Sequence, residues 1–226
     1  MSGPLLRLDG VTKDYGQGFG LKSLSLEIAS GELVMLIGHN GSGKSTLLDL
    51  CASLLEPTEG EVTVAGQPAE SIAARVARSY IPDNPVLYDD LTVWEHIAYI
   101  AGLHGARRWE DTAERLLETF RLTDRADDLP ATFSRGMRQK VSIVIALVRP
   151  FSLLLVDEPF LGLDAPAQEV LVDLLRAEAD RGAAVVVSTH QLDLVAAATR
   201  CVGLLDGELG YDGPPDGDLI GHFVHG

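Results

Sequence analysis

The sequence predicts an α/β fold built on a mainly parallel sheet, with an N-terminal antiparallel β-subdomain and an inserted helical lobe. Three observations predict it. Short β-rich runs separated by glycines occupy the first third of the chain, a helical period takes over between about residues 83 and 149, and all-apolar runs alternating with helical segments follow. At 226 residues the chain can bury a substantial core, and it reads as a single domain over 1–226 with the helical subdomain inserted at approximately 83–149.

Leu5 to Leu8, Leu24 to Ile28, Leu33 to Ile37 and Glu61 to Val64 read as strands, punctuated by Gly16, Gly18, Gly20, Gly31 and Gly60. From Lys44 to Leu55 the composition is helix-forming, and it stops before Pro57. In the lobe, Thr92 and Glu95 form a candidate capping box ahead of Val93, Ile97 and Ile100. Ala113, Leu116, Leu117 and Phe120 recur at helical spacing, as do Met137, Val141, Val144, Ile145 and Val148. Leu153 to Val156 is wholly apolar, as a strand covered on both faces must be. A helix follows with Pro166 near its first turn and Val170, Leu171, Leu174 and Leu175 facing inward. Ala184 to Ser188 is another buried strand, Leu192 to Thr199 another helix, and Gly210 to Asp218 a turn-rich surface loop.

The formal charge of -15 narrows the partners. So acidic a surface repels the phosphates of nucleic acids and of anionic lipids, so no nucleic acid is expected and any membrane attachment runs through a protein. No apolar run approaches the ~20 residues a spanning helix needs. The start at Met1 lacks the cationic and apolar regions of a secretion signal, and Cys51 and Cys201 make no CxxC pair. Reduced core thiols and a cytoplasmic setting are the expectation.

Gly38-His39-Asn40-Gly41-Ser42-Gly43-Lys44-Ser45 fits the phosphate-binding pattern G-x-x-x-x-G-K-[ST], with a predicted strand before it and a helix after it. Glycines let the backbone curl until its N–H groups point at phosphate oxygens, and the following helix presents its positive end to the same place. The expected core is therefore that of a P-loop NTPase. The candidate nucleotide-binding residues run from Gly38 through Thr46. Lys44 supplies charge to the outer phosphates, and Ser45 offers a hard oxygen to Mg²⁺.

Asp157 and Glu158 end the strand Leu153 to Val156. In an open parallel sheet, ligands gather at the carboxyl ends of strands, so these acids are expected beside the loop after Ile37. Asp157 is the candidate for the Mg²⁺ shell, directly or through a water. Glu158 is the candidate for orienting the attacking water or accepting its proton.

Taken together the residues resemble the nucleotide-binding subunit of an ATP-binding cassette (ABC) transporter, over nearly the whole chain. Phe133-Ser134-Arg135-Gly136-Met137 resembles that family's signature, usually Leu-Ser-Gly-Gly-Gln. Leu161-Gly162-Leu163-Asp164 resembles its D-loop, Ser188-Thr189-His190 its switch histidine, and Tyr15 the aromatic that stacks on adenine. The resemblance implies an ATPase in which two such subunits close face to face around two MgATP. One subunit's P-loop and the other's Ser134 and Gly136 would hold each nucleotide. It further implies that His190 contacts the γ-phosphate and Glu158, that Asp164 couples the two sites, and that a separate transmembrane permease is driven by closure. The chain would then sit at the cytoplasmic face of the membrane through that permease.

Four positions depart from the family pattern: Asp83, and in the signature Phe133 for leucine, Arg135 for the first glycine and Met137 for glutamine. Asp83 stands where most members carry glutamine, and as an anion it is a further candidate Mg²⁺ ligand. Arg135 either adds charge at the interface or points to solvent. The Asp83 and Ser134-Arg135-Gly136-Met137 variants resemble a subset of exporter-type cassettes whose membrane protein is a separate chain. Tyr80, Tyr88, Trp94, Tyr99 and Trp109 cluster around Asp83 and the helix after it, which predicts a docking surface for the permease or, alternatively, a filled lobe core. Competing classes are a soluble, non-transport ABC ATPase, whose members usually carry two cassettes or long coiled coils, and a kinase or GTPase, for which the guanine-reading Asn-Lys-x-Asp is missing.

Overall fold

The computed structural model describes residues 3–16, 19–190, 195, 197–216 and 223. In chain order the strands are β1 (Leu6–Asp14), β2 (Gly20–Ile28), β3 (Leu33–Ile37), β4 (Glu59–Val64), β5 (Gln67–Pro68), β6 (Arg78–Ile81), β7 (Leu153–Val156), β8 (Ala184–Thr189), β9 (Arg200–Leu205) and β10 (Glu208–Gly213). The helices are α1 (Lys44–Cys51), α2 (Ile72–Ala77), α3 (Val93–Leu103), α4 (Trp109–Thr119), α5 (Arg135–Leu147) and α6 (Ala165–Asp180). The chain divides into two compact units, Met1–Tyr80 with Phe151–Glu158 and Leu174–Gly226, and Ile81–Pro150 with Pro159–Asp173.

The first unit carries both sheets. An antiparallel sheet runs β2-β1-β4-β5, and a six-stranded sheet runs β10-β9-β3-β8-β7-β6. Strand β3 lies between β8 and β9, parallel to both, and β7 is parallel to β8. Being covered on both faces, β3, β7 and β8 are buried at every residue, which is why their sequences are dominated by apolar residues rather than alternating. On β1 the alternation is visible instead, with Leu6 and Leu8 inward and Arg7 and Asp9 outward. One apolar cluster joins Leu6, Leu8, Leu24 and Leu26 to Val34, Leu36, Leu47 and Leu155.

Several boundaries differ from expectation. The strand predicted over Leu5 to Leu8 continues to Asp14, and its partner begins at Gly20 rather than Leu24. Register shifts between Leu8 and Val11 and between Val11 and Lys13 interrupt the two-residue period there, so the pattern fades while the pairing persists. Helix α1 ends at Cys51, short of Leu55: Ser53 turns left-handed at φ 54, and the Leu54 N–H returns to the Asp49 carbonyl. Of the helix predicted over Leu192 to Thr199, residues 192–194 and 196 lie outside the described residues. Thr199 itself is not helical, because its N–H and hydroxyl both bond the Leu33 carbonyl and align it for β9.

The surface loop predicted from Gly210 to Asp218 is incorrect over its first part, which forms β10; residues 217 and 218 lie outside the described ones. Asp206 and Gly207, at φ 48 and 79, make a tight turn, and β10 then pairs antiparallel with β9. Arg200 grips Asp212 through Nε at 2.6 Å and Nη2 at 2.7 Å. That two-point ion pair and the strand pairing override the turn-forming composition.

In the second unit the capping box forms as expected, with the Thr92 hydroxyl accepting from the Glu95 N–H and the Glu95 carboxylate accepting from the Thr92 N–H. Ala113, Leu116, Leu117 and Phe120 are buried. Helix α5 starts at Arg135, two residues ahead of the predicted Met137, because Ser134 caps it by accepting from the Met137 N–H.

Candidate functional site

Parallel strands β3, β7 and β8 end side by side, and the loops that leave them carry the chemistry. After Ile37 the chain turns tightly at Gly38, where a side chain would strike Ser42 Oγ and, at 2.6 Å, the Leu204 carbonyl. Only glycine fits. Lys44 opens α1 with its ammonium buried and donating to the Gly38 carbonyl at 2.8 Å and the His39 carbonyl at 3.2 Å. Burial holds its pKa below the usual lysine value, with Glu158 and Asp157 opposing that shift. Ser45 and Asn40 are exposed at the same loop, and Thr46 is half-buried.

The loop is braced from behind. Gly207 in the β9–β10 turn donates its N–H to the Ser42 carbonyl at 3.0 Å, and His39 Nε2 lies 3.4 Å from Asp206 Oδ1.

Asp157 follows β7 and is 4% exposed. Its Oδ1 accepts from the Ser188 hydroxyl at 2.5 Å, and Ser188 Oγ in turn accepts from the Glu158 N–H at 2.8 Å. Ser188, fully buried on β8, therefore orients one acid and anchors the backbone of the other. Its neighbour His190 was legible as a motif; the work of Ser188 was not, because it depends on which strand lies beside β7. Glu158 adopts a left-handed backbone at φ 43, a conformation an ordinary residue holds only when its surroundings enforce it. Its carboxylate lies 3.9 Å from the Lys44 ammonium and 2.9 Å from His190 Nδ1.

The first unit thus brings together Gly38 to Thr46, Asp157, Glu158 and His190. Tyr15 is 56% exposed just past β1, with the Lys13 ammonium 5.6 Å from its ring centre. The remaining candidates, Ser134, Gly136, Asp164 and Asp83, belong to the second unit. Ser134 is exposed at the start of α5. Asp164 sits before α6, 3.1 Å from the Lys140 ammonium, and that bond, with the Ala167 N–H, holds its carboxyl below the usual range. Asp83 bonds Arg135 Nη2 at 2.8 Å and the Asn84 amide at 2.9 Å. Tyr80 belongs to the first unit, where its hydroxyl donates to Asp49.

One polar atom shows what the loop is built for. Ser42 Oγ is buried without a hydrogen-bond partner, at the heart of the glycine turn, and the Lys44 ammonium spends its donors on loop carbonyls. Such groups fit phosphate oxygens. Among the described residues no group of three or more His, Cys, Asp or Glu could hold a metal alone. An ion here would therefore draw on Ser45, Asp157, phosphate and water, the ligand set that suits Mg²⁺.

A glycine loop at the end of a central parallel strand, a buried lysine and an adjoining acid pair define a P-loop nucleotide-binding protein. The chain belongs to the ABC transporter family, as an ATP-binding subunit: residues 21–161 match the family described as ABC transporter. It is 36% identical over 213 residues to the SkfA peptide export ATP-binding protein SkfE of Bacillus subtilis, covering 92% of this chain and 88% of that one. A solved ATP-binding subunit of an ABC transporter superposes with a TM-score of 0.89 at 34% identity, covering 98% of this chain and 95% of that one. The ATP-binding cassette MJ0796, in a dimeric post-hydrolysis state with ADP and phosphate, gives 0.83 at 29% identity over 93% of this chain and 99% of its own.

Proposed function

We propose that this subunit binds MgATP, pairs with a second ABC subunit around two nucleotides, hydrolyses them, and drives a separate membrane permease in the export direction. The observation that carries the reading is the network Ser188–Asp157–Glu158–His190 beside Lys44, which is preorganised for hydrolysis of a terminal phosphate. Magnesium, when bound, neutralises phosphate charge and helps orient the terminal group. Lys44 leaves its loop carbonyls for the outer phosphate oxygens. Glu158 aligns a water and takes its proton, with His190 fixing the carboxylate. Ser45 and Asp157 supply the metal's protein ligands, and Tyr15 stacks on the adenine.

The partner's Ser134 and Gly136 supply the opposite wall of the nucleotide site, and Asp164 lies at the same interface. The name of the peptide-export relative supports export, and the dimeric cassette supports pairing. Among the described residues no helix is long and apolar enough to cross a membrane, so attachment at the cytoplasmic face runs through the permease, which docks on the helical subdomain at 83–149.

Glu158→Gln tests the chemistry: ATP binding persists, hydrolysis falls by roughly 10²–10⁴-fold, and an ATP-bound dimer accumulates in gel filtration. Full turnover by this variant would remove Glu158 from catalysis. Purification with no membrane protein attached would favour a soluble ATPase instead.

A further inference from the structure

Two side chains that look like unrelated departures from the family pattern are partners in the fold. The Arg135 guanidinium, on the first residue of α5, reaches Asp83 Oδ1 at 2.8 Å, while the Asn84 amide occupies Asp83 Oδ2 at 2.9 Å. Both carboxylate oxygens are taken. One turn further along the same helix face, Arg138 Nη2 donates to the Pro85 carbonyl at 3.3 Å. Two arginines of the helix start therefore grip one short segment, Asp83 to Pro85.

That segment leads straight to the exposed aromatics of the lobe. The Tyr88 N–H donates to His96 Nε2 at 2.8 Å, and His96 Nδ1 bonds the Thr92 carbonyl at 2.7 Å, so Tyr88 is tied to α3. The Tyr88 ring meets Tyr99 edge-on at 6.0 Å. On its other side, α5 is locked against the loop before α6. A side chain at Gly136 would collide with the Gly162 carbonyl, and Lys140 bonds Asp164 at 3.1 Å.

We propose that Asp83, Arg135 and Arg138 form a strap that makes the Tyr88 segment and the Ser134–Gly136 helix start move as one piece, so that the Asp83–Arg135 pair sets how the signature is presented. This gives Asp83 a positioning task in place of the magnesium ligation expected from sequence. The Arg135 side chain is 54% exposed, so the pair adds little to folding stability and its contribution is geometric. The link to nucleotide-driven pairing rests on the function proposed above. The strap itself does not.

A charge swap in the full chain separates the two. Asp83→Arg and Arg135→Asp each place like charges together, and the double variant restores an opposite pair with its signs exchanged. Amide hydrogen exchange is followed at residues 83–88 and 134–138, and ATP-induced dimerisation is measured in the Glu158→Gln background over a magnesium titration. Each single variant is expected to speed exchange about tenfold in both segments and to weaken the dimer about threefold to tenfold. The double variant returns both to within about twofold. Exchange that rises only at the mutated segment overturns the strap. A double variant as impaired as Arg135→Asp, or one that needs far more magnesium, also overturns it, assigning Arg135 to phosphate or Asp83 to the metal. If the Glu158→Gln parent forms no ATP-induced dimer, the pairing reading fails, and the exchange arm alone decides the strap.

Discussion

The two units use the same side chains in opposite ways. In the first, Ser188 is fully buried and Asp157 is 4% exposed, and each satisfies the other. In the second, Ser134 is exposed at a helix start, and the Asp164 side chain is 60% exposed and held by a lysine. Buried serine and carboxylate make a fixed local geometry that needs no outside help. Their exposed counterparts are, on the function proposed above, completed by a partner subunit. On that same reading the chemical step and the assembly step are built in different units, and perturbing one should leave the other recognisable.

Gly136→Ala should break the comparison most severely on the assembly side. The added methyl meets a backbone carbonyl that cannot swing aside, so α5 or the Gly162 loop must shift at a cost of about 1–3 kcal/mol. ATP-driven pairing, followed by light scattering, should weaken on the order of a hundredfold while the isolated chain still binds nucleotide. Unchanged pairing would remove Gly136 from the interface.

Ser188→Ala probes the opposite side with a smaller effect. It strips a hydroxyl from a buried carboxylate and an acceptor from the Glu158 N–H, a loss of about 1–3 kcal/mol. The turnover number should fall about tenfold with little change in KM for ATP, and Ser188→Thr should recover most of it. Loss in KM alone would mean that Ser188 only supports the fold.

The smallest effect lies in pH. Because burial lowers the Lys44 pKa in the folded chain, folding disfavours its charged form. The unfolded state binds more protons between the folded value and the ordinary value of 10.5, so this contribution raises stability as pH climbs through that window. Below it, the penalty is present in full. Relative to Lys44→Met, the nucleotide-free chain should gain under about 1 kcal/mol in denaturant melts from neutral pH to pH 10. A parallel pair of curves would show that the lysine pays no such penalty.

The first unit's motifs were legible because each is local: strand, glycine turn and helix are contiguous from Leu33 to Cys51, and the acids directly follow β7. What escaped is non-local. Ser188 meets Asp157 only because β7 and β8 pair in parallel, with Val156 opposite Val187. Asp83 and Arg135 lie 52 residues apart, and nothing local in the sequence joins them. For β10 the composition pointed the wrong way, since its glycines and the prolines just after it describe a turn while Arg200 and the neighbouring strand impose extension. Local pattern reveals cradles and caps; pairing between distant strands has to be seen.

The hairpin behind the cradle carries a practical consequence for anyone trimming the gene. The family match ends at residue 161, yet the amide that holds the Ser42 carbonyl belongs to Gly207. Even a fragment extended past the match to His190, and so keeping every motif, would lose the backstop of its nucleotide loop.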